Sequence, residues 1–373
     1  MSSPPIMQVL HQGGGAGSVT STLHLSLGLA RAGWDVRFVC PPDSEVEALA
    51  RERGLSVRPL ALPAHSRREN AAALARLIAA EGVGLVNSQS ARDRTALTWL
   101  GMSGRLTVPF VATRRQMPRT MFLENWIASR VAARVIAVSS AVAEALVRRG
   151  TPRWKLAVIP NGLVTERVDQ VPASSAVEEW RARIGWDPER RTVGIVSRRK
   201  DQAIVLSALT HVRTPVRLVL AGAGEDEALA EAASRVPARH AVVMLPFVAD
   251  VRPLYELLEL VLLPSRMEGF SQALLEAMAL GKPVIGSAAA GNLDLVTDEV
   301  DGLLVPPTDG VAWAAAIERV LGDPALGSRL GAAGRRTARE TYALERMVDR
   351  TAALYRDLLR CPAPTARPDS SPV

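Results

Sequence analysis

Short apolar runs alternate along the whole chain with stretches whose apolar residues recur at helical spacing. The runs at 6–10, 35–39, 56–60, 83–87, 108–112, 134–138 and 156–160 predict strands. They are apolar on both faces, as strands of a parallel sheet covered on both sides must be. Leu23, Leu27, Leu29 and Ala30, ending at Gly33, mark a helix after the first strand, and 43–53 and 69–81 are further helix candidates. Such alternation implies βαβ units. The pattern breaks at Pro160-Asn161-Gly162 and at the linker-like stretch 169–176, then restarts after a short helix at 177–184. Strands are expected at 192–197, 215–221, 241–246, 258–263, 283–286 and 302–305. Helices are expected at 201–210, 225–235, 250–258, 271–280, 291–297 and 309–321. A last helical region, 328–359, has the length to run back over the first domain. The expected organisation is α/β: two doubly wound Rossmann-like domains, 1–165 and 166–340, with an interdomain cleft. A returning helix at 341–360 and a Pro, Ala, Ser and Thr tail at 361–373, expected to be disordered, complete it.

Composition narrows the class. The 373 residues allow about two domains of ~150 residues, and 48% hydrophobic content supports large cores. The formal charge is +7, carried almost wholly by arginine, since only Lys155, Lys200 and Lys282 are lysines. Arginine suits bidentate binding of phosphate and carboxylate, although genome composition accounts for the same bias. No nucleic-acid motif accompanies the charge. The two cysteines, Cys40 and Cys361, have no metal-ligand spacing, and a reducing cytosol is the natural reading. The first residues, Met1-Ser2-Ser3-Pro4-Pro5, do not read as a signal peptide. No window approaches ~18 uninterrupted apolar residues, so no spanning helix is expected.

Candidate chemistry concentrates after the run Leu257 to Leu263. There the chain reads Pro264-Ser265-Arg266-Met267-Glu268-Gly269-Phe270-Ser271, then a helix capped at Ser271 and stopped at Gly281. Helix N-termini attract anions, and strand–turn–helix corners of open α/β sheets bind ligands. Glu268 precedes the helix and Glu276 lies in its second turn. Paired carboxylates serve as general acid and base, or accept hydrogen bonds from sugar hydroxyls. Arg198-Arg199-Lys200 follows the strand at 192–197 and suits phosphate, the alternative being a solvated charge run. The Phe247-Val248 loop offers backbone to a flat base. Gly13-Gly14-Gly15 follows the first strand, where glycine lets backbone approach a phosphate or simply makes a tight turn. Between Arg114 and Arg134, Met117, Met121, Phe122, Trp126 and Ile127 interleave with Arg114, Arg115, Arg119, Arg130 and Arg134. That mixture suits an anionic lipid surface or an anionic acceptor, or a packed helix with a solvated face.

The segment Glu268-Gly269-Phe270-Ser271-Gln272-Ala273-Leu274-Leu275-Glu276, continuing to Gly281-Lys282-Pro283-Val284-Ile285, resembles the signature of glycosyltransferase family four. Those enzymes are the group 1, retaining transferases of the GT-B fold. Val135 to Ser139, Val158 to Gly162 and Asp301 to Pro307 carry the resemblance further, over roughly residues 6–355. It implies a glycosyltransferase that moves a sugar from a nucleotide-diphospho-sugar to a glycan or glycolipid, with retention, in bacterial envelope or lipopolysaccharide-type synthesis. The sugar nucleotide is a co-substrate, and neither cofactor nor metal is implied. Glu276 would take the ribose and Glu268 the donor-sugar hydroxyls. Backbone N–H groups of Gly269, Phe270 and Ser271 would face sugar and phosphates. Arg198 and Lys200, with Arg199 sharing the role, would neutralise the leaving diphosphate, which Gly14 and Gly15 would also approach. The leaving phosphate can take the acceptor proton, so no protein base is assigned. Two departures stand out. Arginines (Arg114, Arg115) replace the histidine that many relatives carry after the strand at 108–112, and they become acceptor-side candidates. The Arg198–Lys200 spacing is also tighter than usual. A GT-B sugar-nucleotide epimerase and a non-catalytic nucleotide-sugar binder remain the alternatives. The expected place is cytoplasmic, with peripheral contact to the anionic inner face of the membrane and no nucleic-acid partner.

Overall fold

The computed structural model describes residues 4–14, 17–118, 121–198, 200–224, 226–248 and 250–360. The chain divides into two compact units, one of Met1–Gly162 with Leu344–Val373, the other of Leu163–Ala343.

The first unit holds a parallel sheet of β1 (Ile6–Val9), β2 (Val36–Cys40), β3 (Ser56–Pro59), β4 (Leu85–Ser88), β5 (Phe110–Arg114), β6 (Arg134–Ala137) and β7 (Leu156–Val158). Its spatial order is β3-β2-β1-β4-β5-β6-β7. Every residue of β1, β4 and β5 is buried, so these strands do not alternate apolar and polar faces, and their polar residues Gln8, Asn87, Ser88, Thr113 and Arg114 lie inside with the apolar ones. Three helices not named from the sequence, Ala91–Met102, Phe122–Val131 and Ser140–Val147, complete the crossovers. The first two mix buried polar residues such as Asp93, Arg94 and Asn125 into the faces they bury, which blurs the apolar stripe.

The second unit holds β8 (Arg191–Val196), β9 (Val216–Ala221), β10 (Ala241–Leu245), β11 (Leu260–Leu263), β12 (Val284–Ser287) and β13 (Leu303–Val305), all parallel, in the order β10-β9-β8-β11-β12-β13. Trp313 anchors its core, with Leu218, Leu260, Ile285 and Leu330 around it. The helix Gln272–Ala279 starts where expected because the Ser271 hydroxyl accepts from Leu274 N–H at 3.2 Å. Asp226, Asp309 and Asp323 cap three more helices in the same way.

The helical region expected at 328–359 is two helices, Pro324–Thr341 and Leu344–Arg360. The break at Tyr342 frees its carbonyl for Leu163 N–H at 2.7 Å. The last helix packs on Gly17–Arg31 within the first unit, where Gly28 leaves room for Val348 and Tyr355 meets the Trp34 ring edge-on at 6.0 Å. No helix of the described residues is long and apolar enough to cross a membrane.

Candidate functional site

Both sheets reverse their strand order once, between β1 and β4 in the first unit and between β8 and β11 in the second. Ligands of open α/β sheets bind beyond the carboxyl ends of the strands at such a reversal. In the second unit the loops leaving β8 and β11 carry Arg198 and Lys200 on one side and Glu268 to Ser271 on the other. Two candidate groups 68 residues apart from Lys200 to Glu268 therefore meet because of the topology.

The two loops are stitched together. Lys200 Nζ lies 3.0 Å from Glu268 Oε2. Asp201 N–H donates to Pro264 O at 3.0 Å, and the Asp201 carboxylate accepts from Arg266 N and Nε at 2.9 Å each. Gln202, wholly buried, ties its own turn by accepting from Lys200 N and donating to Arg198 O. Arg198 is exposed, with no ion-pair partner among the described residues. Arg199 lies outside the described residues, so the sharing of its role is not placed.

At the start of the helix Gln272–Ala279, the N–H groups of Gly269, Phe270 and Ser271 make no hydrogen bond to a described residue. Three open donors at a helix N-terminus, on the loop whose Glu268 pairs with Lys200, have the chemistry that suits an anion. The side chains of this turn are otherwise engaged. The Phe270 ring is buried against Tyr342 at 5.2 Å, and the Ser271 hydroxyl is the cap. Only backbone is offered there. Glu276 is half-buried in the next turn. Burial pushes its carboxyl above the usual range and Asp250 adds to this, while Arg167 opposes it. The Asp250 influence brings the loop after β10, which carries Phe247 and Val248, into the surroundings of Glu276. Phe247 is exposed.

Two glycines that sequence reading passed over shape the site. Gly291 N–H donates to Glu268 O at 2.9 Å, and a Cβ on Gly291 would meet Gly269 O at 2.0 Å. Gly222 sits at φ +97°, where a Cβ would come within 3.0 Å of Ser197 O. A glycine in an unremarkable loop carries no signal until the facing backbone is known.

In the first unit the candidates fall differently. A Cβ on Gly14 would meet the Glu45 carboxylate, and one on Gly13 would meet Ser44, so this chain's own helix Glu45–Glu52 accounts for both glycines. Gly15 lies outside the described residues, as does Arg119. Arg114 and Arg115, read as acceptor-facing cations, are instead buried. Arg114 donates to Asn125 at 2.8 Å. Arg115 donates to Ser21 at 2.8 Å, Gln89 at 2.9 Å and Asn161. No carboxylate pairs with Arg115 among the described residues, and burial lowers its pKa to about 10. Its charge is taken up by neutral acceptors, which explains how an arginine ends inside. Cys40 is likewise inert, its thiol pushed up to about 12 by burial. His240 is a core residue. Its Nδ1 accepts from Val216 N–H and its Nε2 meets Val212 O, each at 3.1 Å.

Two family models match: "Glycosyltransferase Family 4" over residues 15–167 and "Glycosyl transferases group 1" over 190–323, together more than half of the chain. The chain belongs to the group 1, family four glycosyltransferases. It is 28% identical over 243 residues to an uncharacterized glycosyltransferase of Methanocaldococcus jannaschii, covering 62% of each chain. It is 36% identical over 118 residues to the lipopolysaccharide core biosynthesis mannosyltransferase LpcC of Rhizobium leguminosarum, covering 32% of this chain and 34% of that one. The matches thus span under two thirds of these relatives' lengths. In fold, the chain is similar to Anabaena HepE, solved in complex with UDP-glucose. The TM-score is 0.82 at 20% identity, with 95% of this chain and 100% of that one covered. It is also similar to WaaG, a glycosyltransferase involved in lipopolysaccharide biosynthesis, with a TM-score of 0.68 at 15% identity, covering 94% and 99%. The two sheets are the two Rossmann-like domains of the GT-B fold.

Proposed function

We propose that this family member is a retaining glycosyltransferase that binds a nucleotide-diphospho-sugar at the β8–β11 reversal. The observation that carries the reading is the set of open N–H groups of Gly269, Phe270 and Ser271 beside Lys200 and Arg198. As the glycosyl bond breaks, negative charge grows on the departing diphosphate. Preorganised cations and dipoles there stabilise the transition state more than the ground state. On this reading the chain's own cations do the work that a metal does elsewhere. Glu268, already held by Lys200, keeps one side of its carboxylate for donor-sugar hydroxyls, while Glu276 accepts from the ribose. Both carboxylates thus position the donor, and neither is assigned as nucleophile or base.

The acceptor proposed is a glycan or glycolipid of envelope type, in keeping with LpcC and with the Escherichia coli O-antigen chain mannosyltransferase C, which is 31% identical over 208 residues. The first unit supports peripheral membrane contact in the cytoplasm. Met121, Phe122, Leu123, Trp126 and Trp154 are exposed, and Arg130 and Arg134 lie over the Trp126 and Trp154 rings. Aromatic and basic side chains together suit an anionic lipid surface. Co-sedimentation with phosphatidylglycerol vesicles at low salt, lost at high salt, is the expected result.

Thermal-shift screening of UDP-, GDP- and ADP-sugars tests the donor reading. A ligand present at about 100 times its dissociation constant stabilises the folded state by about 2.7 kcal/mol, so one member of the panel raises the midpoint by several degrees. Product analysis then separates transfer from epimerisation, the activity named for a putative UDP-N-acetylglucosamine 2-epimerase of the same fold.

A further inference from the structure

The first unit carries a cationic cavity that the donor reading leaves unused. The helices Arg67–Ala80 and Ala91–Met102 follow the parallel strands β3 and β4, so both begin at the carboxyl edge of the sheet, and they pack on each other. Between their first turns lies a cavity of about 170 Å³, bordered by Pro63, Arg67, Asn70, Arg92 and Thr95. Two of its lining side chains are cations and none is acidic.

The polar groups around the cavity leave donors over. Asn70, 5% exposed, gives one Nδ2 hydrogen to Pro63 O at 2.8 Å, which holds the loop after β3 against its helix. No described residue takes the second hydrogen. Thr95 donates to Ala91 O at 3.0 Å, within its own helix. Arg92 Nη1 reaches Leu62 O at 3.4 Å. Its remaining guanidinium N–H groups, and all those of Arg67, have no partner among the described residues, and neither arginine is in an ion pair there. Arg68 lies instead over the Trp99 ring, 5.9 Å from its centroid. The backbone N–H groups of Arg67 and Arg92 also make no hydrogen bond to a described residue. Two like charges bordering one cavity repel, and a shared anion replaces that repulsion with charge-assisted hydrogen bonds. The dipoles of the two helices, 14 and 12 residues long, add to the attraction.

We propose that this cavity is a phosphate site, in which Arg67 and Arg92 bind a phosphomonoester and the Asn70 amide donates to it. A phosphomonoester suits this lining better than a carboxylate, because it brings three acceptor oxygens and nearly two negative charges to a set of donors. A sugar phosphate and a lipid headgroup are the two sources of that chemistry. The site lies wholly within the first unit and stands independently of the donor reading.

Nitrogen-15 NMR of the backbone amides of the full chain, titrated with inorganic phosphate at constant ionic strength, tests this. It separates the cavity from any phosphate taken by Gly269 to Ser271. The Arg67 and Arg92 amides are expected to shift saturably. Arg67→Gln and Arg92→Gln should each weaken that binding by about tenfold. Both side chains are exposed, so both variants should keep the wild-type melting midpoint. Displacement of inorganic phosphate by glucose 6-phosphate assigns the source to sugar phosphates. Displacement by dihexanoyl phosphatidic acid, below its micelle concentration, assigns it to a headgroup. Shifts at Arg67 and Arg92 that do not saturate, or saturable binding that survives both substitutions, overturn the proposal. So does phosphate binding that neither organic phosphate displaces.

Discussion

The two units present one topology with two different edges. Each sheet reverses between its first and fourth strands, and at each reversal two loops from distant parts of the chain come together. In the second unit those loops leave backbone N–H groups open and Arg198 without an ion-pair partner among the described residues. In the first, the polar groups turn on one another. Tyr355 OH accepts from Gln8 and Asn87, Gln8 accepts from Gln89, and Gln89 accepts from Arg115. A strand reversal therefore supplies a place for a ligand, while the balance of donors and acceptors around it decides whether the place is open to an anion or closed on itself.

Substitutions that break this contrast differ in size. The largest effect is expected from Lys200→Ala, which removes a cation from the open edge. Turnover should fall by about 10²- to 10³-fold. Its ion pair with Glu268 is partly exposed, 30% and 16%, and contributes ~0–1 kcal/mol, so the midpoint should hardly move. Thermal denaturation beside steady-state kinetics separates the two. Gly291→Ala should come next. Its methyl would have to displace the Gly269 carbonyl and with it the anion-binding turn, weakening donor affinity by about tenfold and stability by ~1–3 kcal/mol. Calorimetry would show both.

Arg115→Met probes the closed edge. Losing a buried donor to three acceptors should cost about 1–3 kcal/mol of stability while leaving donor affinity unchanged, because the donor site is proposed on the other unit. If donor binding fell as well, the separation of roles between the units would be wrong.

The smallest effect belongs to Glu276→Gln. The folded protein holds the Glu276 proton more tightly than the unfolded chain. The stability tied to that proton is present below the ordinary value of 4.5 and is lost as pH rises through the raised one. The Gln variant should therefore have a midpoint above wild type at neutral pH, the gap closing as pH falls toward 4.5. It should also bind donor more weakly, since a neutral amide is a poorer partner for two ribose hydroxyls.

Much of this was legible before the fold was known, for a physical reason. Parallel strands covered on both faces favour short apolar runs, and such runs marked each of the thirteen strands of the described residues, including β3, β7 and β10, which are largely half-buried. The corner at Glu268 to Glu276 is local in sequence, and its cap at Ser271 follows from chemistry within three residues. What stayed hidden depended on distant partners. Arg115 looked like a surface cation because Ser21, Gln89 and Asn161 lie 94, 26 and 46 residues away. Gly291 and Gly222 matter only for the backbones they face.

Calorimetric titration of wild type, Lys200→Ala and Glu276→Ala with UDP-, GDP- and ADP-sugars tests the central claim most directly. One sugar nucleotide should bind wild type at a single site, and each substitution should weaken it by about tenfold or more, as the loss of a charge-assisted contact requires. A donor that binds all three proteins equally well, or a wild type that binds none, would contradict it.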